Sequence, residues 1–325
     1  MFCAMSFALL CLPTSLRAAD KLAELTEISV TSTLDGSQQP SLVWAPETAA
    51  SQSTPLFVYL HSWSGDYRQN NAAWHKEAVE RGWIYLHPNF RGPNNQPEAC
   101  GSELARRDIL DAIEDVIVRY NVDQTRVYLA GASGGGHMTM LMAGYYPQRF
   151  SAASAWVGIS NLADWYRFHT SDGKRGGYAQ MVFQSCGGVP GESDAIDVQY
   201  RSRSPIHQLQ HAVGLPLELS AGVDDGHKGS VPIAHTLTAF NVVAKASGLG
   251  EVSASEIAQL STDRKLAQPL PGDVSFDKEY GRDILLRRKA GKTRVTIFDG
   301  GHEGIAHAGA AWLSRYNRPT RSVKP

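Results

Sequence analysis

The chain has 325 residues, of which 42 % are hydrophobic, and its formal net charge at pH 7 is −1. It contains no basic block of the kind that binds nucleic acid, and no apolar run of 18 or more residues that would span a membrane. The composition therefore indicates a globular protein with enough apolar residues to bury a substantial core.

The first 19 residues have the pattern of a secretory signal peptide. A short apolar run at residues 7–12 precedes the small residues Ala18 and Ala19, which suit a cleavage site. The segment departs from the usual pattern in one respect, because no Lys or Arg precedes the apolar run. We expect residues 1–19 to be a signal peptide, residues 20–325 to form a single domain, and the protein to be secreted or periplasmic.

The cysteine count agrees with export. Cys3 and Cys11 lie in the expected signal peptide, which leaves Cys100 and Cys186 in the rest of the chain. Two cysteines in an oxidising compartment admit one bridge. We therefore predict a disulfide between Cys100 and Cys186, and two separate buried thiols are the alternative.

Strand-like apolar segments alternate with helical patterns along the chain. The strand-like segments are residues 27–34, 41–45, 56–60, 83–86, 127–130, 153–157, 215–221, 284–289 and 293–298. The helical patterns cover residues 74–81 and 109–120, a stretch ending at Pro147, a stretch beginning at Pro232, and residues 305–316. This alternation predicts an α/β fold with a mostly parallel central sheet and helices on both faces, in one domain.

Residues 131–135, with the sequence Gly-Ala-Ser-Gly-Gly, lie between a predicted strand and a predicted helix. At such a junction the pattern G-x-S-x-G places a serine on a tight turn, where the glycines avoid collisions and the hydroxyl is exposed. Short motifs also occur by chance, so the assignment of a nucleophile depends on the flanking strand and helix and on the residues downstream. Ser133 is the candidate nucleophile.

A serine hydroxyl needs a base, usually a histidine, and that histidine needs an orienting carboxylate. In a fold of this kind the acid and the histidine follow later strands, in that order. His302 follows the last predicted strand and two glycines, so it is the candidate base. Asp224 is our candidate for the acid, and Asp225 is a near-equal alternative on chemistry alone. Asp299 is too close to His302 along the chain to be the first choice.

Acyl transfer also needs two N–H groups that stabilise the oxyanion of the transition state. The N–H of Gly134, directly after the serine, is one candidate. The second is expected in the loop after strand 56–60, where we choose the N–H of Trp63 over that of Ser62. A polar turn without function is the alternative interpretation of this loop.

Four segments together resemble the α/β-hydrolase superfamily, in its prolyl-oligopeptidase-like and esterase branch. They are the nucleophile turn, the oxyanion loop, the acid loop and the histidine loop, at residues 131–136, 60–63, 222–225 and 299–302. The resemblance covers residues 55–317 and implies an α/β-hydrolase fold in which the first Asp of the pair, Asp224, is catalytic. Two features depart from the family. Ser62 stands where a glycine is expected, and five residues rather than one or two separate the Asp pair from Val231.

The resemblance implies a small secreted esterase that acts on acyl or aryl esters, including those of polysaccharides. About 36 residues separate the expected cleavage site from the first core strand, which leaves no room for the family's propeller. Apolar residues do not recur at a regular spacing in residues 160–211, and we interpret this segment as an insertion over the active site. Arg91, Trp156 and Trp165 are candidate substrate-binding residues, although core packing is the more common role of a large aromatic residue.

No organic cofactor or metal is required by this chemistry. His227 beside two aspartates is a weak metal motif, because loop His and Asp residues are usually solvated. Two other functions remain open: a serine peptidase that cleaves short peptides, and a non-catalytic protein of the same fold that binds a glycan or a partner. The retained Ser, Asp and His argue against the second.

Overall fold

Runs of β-branched and aromatic residues form the strands of a computed structural model, which describes residues 22–319. In chain order the strands are β1 (Thr26–Thr31), β2 (Gln38–Trp44), β3 (Thr54–Leu60), β4 (Ile84–Pro88), β5 (Val122–Ala132), β6 (Ala152–Trp156), β7 (Thr170–Ser171), β8 (Lys174–Arg175), β9 (Leu217–Gly222), β10 (Ser275–Asp277), β11 (Arg282–Ala290) and β12 (Thr293–Phe298). The predicted signal peptide lies outside the described residues, so it and the single-domain boundaries stay predictions.

Ten of the described strands form one twisted sheet in the order β1-β2-β4-β3-β5-β6-β9-β12-β11-β10. The six central strands from β4 to β12 are parallel, while β1, β2, β11 and β10 pair antiparallel at the two edges. Leu60 pairs with Gly131, Ala132 with Trp156, and Gly222 with Phe298. The carboxyl ends of β3, β5, β6, β9 and β12 therefore meet at one edge. The predicted α/β class with a mostly parallel sheet is confirmed.

The helices pack on both faces of this sheet. Within residues 22–319 they are α1 (Ala72–Arg81), α2 (Glu103–Arg119), α3 (Gly134–Tyr145), α4 (Leu162–Phe168), α5 (Gly177–Cys186), α6 (Asp194–Arg203), α7 (Ala234–Ala246), α8 (Ala254–Asp263) and α9 (Ala306–Leu313). The ends follow local chemistry: Ser102 accepts a hydrogen bond from the N–H of Ala105 at the start of α2, and Gly82 ends α1 with φ +64°. None of these helices is long and apolar enough to cross a membrane.

Two regions contain helices for which no helical pattern was predicted. Residues 160–211, called here the covering segment, contain α4, α5 and α6 and a two-stranded hairpin of β7 and β8. The polar stretch at 248–283 contains α8, whose start is a capping box of Ser253 and Glu256. That Ser-x-x-Glu signal is readable in the sequence.

The buried apolar residues form two clusters. The sheet cluster fills both faces of the sheet, and β3, β4, β6, β9 and β12 are buried along their whole length. The second cluster lies between the covering segment and the carboxyl edge. Its buried members are Trp63, Cys100, Ile159, Leu162, Trp165, Tyr166, Ala179, Val182, Cys186, Tyr200 and Val231.

Candidate active site

Ser133 occupies a strained turn between β5 and α3. Its backbone has φ +59° and ψ −118°, a conformation that costs a residue with a side chain about 1–3 kcal/mol. The N–H of Ser133 donates to the carbonyl of Trp156 at 2.9 Å, and its own carbonyl accepts the N–H of His137 at 2.9 Å. Such strain persists only where the surroundings hold it in place, so the backbone of Ser133 has a fixed position at the carboxyl edge.

The glycines around Ser133 allow the first turn of α3 to approach two strand ends. A Cβ added at Gly135 would lie 2.1 Å from the carbonyl oxygen of Leu60, and one at Gly134 would lie 2.3 Å from the backbone nitrogen of Trp63. Any side chain at these positions would displace β3 or the loop after it. The motif is therefore required by the backbone contacts of this fold.

Gly134 and Trp63, the two residues chosen for an oxyanion site, are in contact through their backbones. The N–H of Ser62 is already used, because it donates to Oε1 of Gln69 at 2.8 Å. Among the hydrogen bonds of residues 22–319, none is donated by the N–H of Gly134 or of Trp63. His61 braces the same loop, since its two ring nitrogens lie 2.9 Å from the carbonyl of Ser62 and 2.7 Å from that of Asn89.

The carboxylate that contacts His302 belongs to Asp225. Its Oδ2 lies 2.8 Å from Nδ1 of His302, and its side chain is fully buried. Oδ1 of Asp225 accepts the N–H groups of Gly226 and Val231, each at 3.0 Å. Because every one of these contacts favours an anionic acceptor, Asp225 is held in one orientation toward the imidazole.

The prediction of Asp224 as the orienting acid was wrong by one residue. Its carboxylate points away from His302 and forms ion pairs with Lys228 at 3.4 Å and Arg264 at 3.3 Å. Desolvation acts to raise the pKa of Asp224, but these two cations hold it below its ordinary value. The physical reason is the turn at residues 222–228, which directs successive side chains to opposite sides of the loop.

The histidine loop reaches back from β12 toward the serine turn. A Cβ added at Gly304 would lie 3.3 Å from the Cβ of Ala132, the residue before Ser133. Within the described residues, no hydrogen bond joins Ser133 to His302. Nε2 of His302 instead lies 3.5 Å from Oγ of Ser230. Hydrogen bonds of unliganded active sites are often long and tighten when substrate binds, so this geometry is compatible with a catalytic role.

Arg91 was predicted to bind substrate, but its guanidinium is occupied by other side chains. Its guanidinium donates to the carboxylates of Asp35, at 2.7 Å, and Asp108, at 2.5 Å, and to the hydroxyl of Ser32. The side chain is 8 % exposed, and all its donor groups face these partners. Arg91 therefore neutralises the buried Asp108 on α2 and holds the loop after β4.

The two tryptophans predicted to bind substrate are buried. Trp156 is fully buried, and its indole N–H donates to Oγ of Ser154 at 2.8 Å. Trp165 is 1 % exposed, and its indole N–H donates to the carbonyl of Ser230 at 2.8 Å. The ring of Trp165 also meets that of Trp63 edge to face, with centroids 4.5 Å apart. Neither offers a free aromatic face, which corrects the prediction, and the packing role applies to both.

Cys100 and Cys186 are two free thiols in the structure, so the predicted disulfide is not present. Both are buried in the second cluster, and no bond joins them. Burial raises the pKa of Cys100 to about 11 and raises that of Cys186 as well. Such thiols are unreactive in the folded protein.

His227 makes a structural contact, because its Nε2 lies 2.8 Å from the carbonyl of Ser261. The described part of the chain contains no group of three or more His, Cys, Asp or Glu side chains arranged to hold a metal ion.

Sequence reasoning missed Ser230 and His169. Ser230 lies within the five residues that separate the Asp pair from Val231, a spacing that departs from the family and marked the loop as unusual. His169 follows α4, and its Nε2 donates to the carbonyl of Ser230 at 2.8 Å. A carbonyl only accepts hydrogen bonds, so this nitrogen carries the proton. No local pattern pointed to His169.

Curated proteins with similar sequences include feruloyl and acetylxylan esterases. The chain is 28 % identical over 146 residues to a feruloyl esterase B of Talaromyces funiculosus, which covers 42 % of this chain and 41 % of that protein. It is 29 % identical over 116 residues to an acetylxylan esterase of Coprinopsis cinerea, covering 32 % of this chain and 31 % of that protein. The matched regions thus span less than half of these relatives.

Solved structures with the same fold include larger peptidases. An acylaminoacyl peptidase of Pyrococcus horikoshii superposes with a TM-score of 0.61 at 18 % identity, covering 91 % of this chain and 40 % of that one. A puromycin-hydrolyzing peptidase of Mycobacterium tuberculosis superposes with a TM-score of 0.55 at 16 % identity, covering 93 % and 39 %. At these identities the likeness supports the fold alone, which is that of the α/β-hydrolases.

Residues 69–246, more than half of the chain, match the prolyl oligopeptidase family. The match includes β5, the serine turn, α3, the covering segment and the loop that carries Asp225. The chain therefore belongs to the prolyl oligopeptidase family.

Proposed function

We propose that this protein is a serine carboxylic ester hydrolase that acts on acyl or aryl esters through Ser133, His302 and Asp225. One observation carries the proposal: a strained serine at a strand–helix turn shares the carboxyl edge with a histidine whose Nδ1 is bound to a buried carboxylate. Strained backbone and a buried charge are both unfavourable, so their presence at one edge points to function.

The proposed reaction begins with attack of the Ser133 hydroxyl on the ester carbonyl carbon. Nε2 of His302 takes the hydroxyl proton, and Asp225 stabilises the resulting imidazolium through the hydrogen bond at Nδ1. The N–H groups of Gly134 and Trp63 donate to the oxyanion of the tetrahedral intermediate. The imidazolium then protonates the leaving alcohol, and an acyl-enzyme on Ser133 remains.

Hydrolysis of the acyl-enzyme repeats the sequence with water. His302 accepts a proton from the water as it attacks the acyl carbon, and returns that proton to Ser133 when the acid leaves. The chemistry requires the imidazole to approach Ser133 when substrate binds. It needs no group beyond the side chains and backbone of this chain.

The choice of ester over peptide rests on the similar sequences. Curated relatives at 28–29 % identity are named as feruloyl and acetylxylan esterases, which supports testing feruloyl and acetyl esters first. The solved structures that share the fold are named as peptidases, so cleavage of short peptides is the alternative.

The test is steady-state hydrolysis by the purified protein of three chromogenic substrates: a short-chain aryl ester, an aryl feruloyl ester and a prolyl arylamide. Ser133→Ala, prepared in the same way, serves as the blank. We expect ester turnover that disappears in Ser133→Ala, with no amide cleavage. Efficient amide cleavage would establish the peptidase instead. Turnover that persists in Ser133→Ala, or no turnover of any substrate, would contradict the proposal.

Export belongs to the same proposal, because polysaccharide esters are extracellular substrates. It is supported by the apolar run and small residues in the first 19 residues. N-terminal sequencing of protein recovered outside the cytoplasm should start at Asp20. An intact N-terminus on cytoplasmic protein would contradict export.

A further inference from the structure

Ser230 connects the covering segment to the candidate base. Its hydroxyl lies 3.5 Å from Nε2 of His302, while its carbonyl accepts two hydrogen bonds at 2.8 Å, from the indole of Trp165 and from Nε2 of His169. Both donors belong to the region of α4, far from Ser230 along the chain. These three contacts join Ser230 to segments that are distant along the chain.

We propose that Trp165 and His169 form a two-donor clamp on the Ser230 carbonyl, and that the clamped Ser230 is a positioning residue for the imidazole of His302. The inference rests on the proposed function, because it concerns the same histidine. It adds a residue and a role that the Ser-His-Asp arrangement does not include.

The imidazole has two nitrogens, and each one meets a different partner. Nδ1–H donates to Asp225 at 2.8 Å, which leaves Nε2 of the neutral ring as an acceptor for the hydroxyl of Ser230. With contacts on both nitrogens, the ring resists rotation about its χ2 angle. Nε2 therefore stays directed into the site until the Ser133 hydroxyl replaces Ser230 as its partner.

The clamp defines where the Ser230 hydroxyl can be. Residues 226–230 form an insertion without helix or strand, so the loop alone would leave Ser230 several conformations. Trp165 is 1 % exposed and packed against Trp63, which gives its N–H a fixed direction. Next to Ser230, the N–H of Val231 donates to Asp225. The covering segment thus constrains the acid loop and the base together.

Trp165 also links two parts of the chemistry. Its indole meets the ring of Trp63 edge to face, and the backbone N–H of Trp63 is the proposed oxyanion donor. The indole N–H of Trp165 donates to the carbonyl of Ser230 in the loop beside His302. Trp165 thus contacts residues that act on the reacting atoms, namely the proposed oxyanion donor and the loop beside the base. We therefore expect loss of the clamp to lower kcat rather than to raise KM.

The test measures kcat and KM for the best ester of the panel. Ser230→Ala, which removes the hydroxyl, and Trp165→Phe, which keeps a ring but removes the N–H, should each lower kcat about three- to ten-fold, the range expected for one neutral hydrogen bond. KM should stay within about two-fold of the parent. Ser230→Thr, which keeps the hydroxyl, should recover most of kcat.

A double variant separates positioning from a general loss of packing. If Trp165 acts through Ser230, Trp165→Phe should change kcat by less than about two-fold in the Ser230→Ala background. A second pair tests the other donor: His169→Gln should keep kcat and His169→Leu should lower it. An equal loss from Trp165→Phe in both backgrounds, or unchanged kcat in Ser230→Ala, would overturn the proposal.

Tyr200→Phe is the matched control. It removes a hydrogen bond of the same kind in the covering segment, from the buried Tyr200 hydroxyl to the carbonyl of Gly188 at 3.0 Å, without touching Ser230. We expect kcat for this variant to match that of the parent. A loss equal to that of Trp165→Phe would assign the effect to the covering segment as a whole and overturn the clamp.

Hydrogen exchange gives a measurement that does not depend on activity. Amides of residues 226–231 should exchange about three- to ten-fold faster in Trp165→Phe than in the parent, and at the parental rate in Tyr200→Phe. If no substrate is turned over, the proposed function fails while this exchange result still tests the clamp. Unchanged exchange in Trp165→Phe would refute the clamp even in an active esterase.

Discussion

The two hydrophobic clusters of this molecule differ in what they touch. The sheet cluster is largely aliphatic and aromatic side chains on strands and helices, and it sets the positions of the strand ends. The second cluster is rich in side chains with a polar tip, and it contains Trp63, Trp165 and Val231, which lie at or beside the candidate site. The loop of Asp225 joins the two, since Val223 belongs to the first and Val231 to the second.

The site therefore has two supports with separate roles. The sheet cluster supplies the carboxyl edge on which Ser133 and the histidine loop are placed. The second cluster lies beside the same edge, and its member Trp165 donates a hydrogen bond to the carbonyl of Ser230. Variants of the two clusters should therefore separate stability from turnover.

The largest effect is expected at Ser133, the proposed nucleophile. Ser133→Ala should lower kcat/KM by about 10⁴- to 10⁶-fold, as in serine hydrolases that lose the nucleophile. Ser133→Gly should be equally inactive and more stable than the Ala variant by about 1 kcal/mol, because Gly tolerates φ +59° without strain. Chemical denaturation measures the second effect. An Ala variant as stable as the Gly variant would show that the turn is unstrained.

The next effect tests the loop that joins the clusters. Asp225→Asn should lower kcat/KM by about 10⁴-fold, because the amide cannot stabilise the imidazolium and favours the wrong tautomer of His302. Asp224→Asn, its matched neighbour, should change kcat/KM by less than about three-fold, since it loses only exposed ion pairs. The opposite pattern would return the acid to Asp224.

A smaller effect distinguishes the sheet cluster from the second cluster. Ile109 on α2 is fully buried in the sheet cluster and is not one of the proposed site residues. Ile109→Ala should reduce the free energy of unfolding by about 2–4 kcal/mol through cavity formation. Folded Ile109→Ala should keep the parental kcat at 25 °C. A lower kcat in fully folded protein would show that the two supports are not separable.

The smallest effect concerns the two thiols of the second cluster. Burial raises the pKa of Cys100 to about 11, so at pH 8 almost no thiolate exists, and an aryl disulfide reagent should react only after unfolding. In protein prepared from Asp20 onward, which lacks Cys3 and Cys11, unfolding without reductant should expose both thiols, and Cys100→Ala or Cys186→Ala should each remove one. If neither thiol appears without reductant, the two are bridged and the structural assignment is wrong.

Local sequence patterns predicted much of the fold. The continuous apolar run that forms β3 and the helical spacing along α2 report burial directly, because a strand covered on both faces and an amphipathic helix require those patterns. The serine turn was also predictable, since glycines that permit close backbone approach leave a short, readable motif. The helices of the covering segment were missed because their apolar positions pack against one another and the site edge without one continuous apolar face.

The side-chain partners within the site were decided by tertiary structure. Asp224 and Asp225 have the same chemistry and adjacent positions, and only the direction of the turn gives His302 to Asp225. Arg91 and Trp165 had the residue types of a binding site, but Asp108 and Ser230 occupy their donor groups. The central strands, the helices α2 and α3 and the serine turn follow from neighbouring residues along the chain, so they can be predicted from the sequence. Which carboxylate, indole and hydroxyl meet at His302 depends on contacts between distant segments, and only the folded chain determines them.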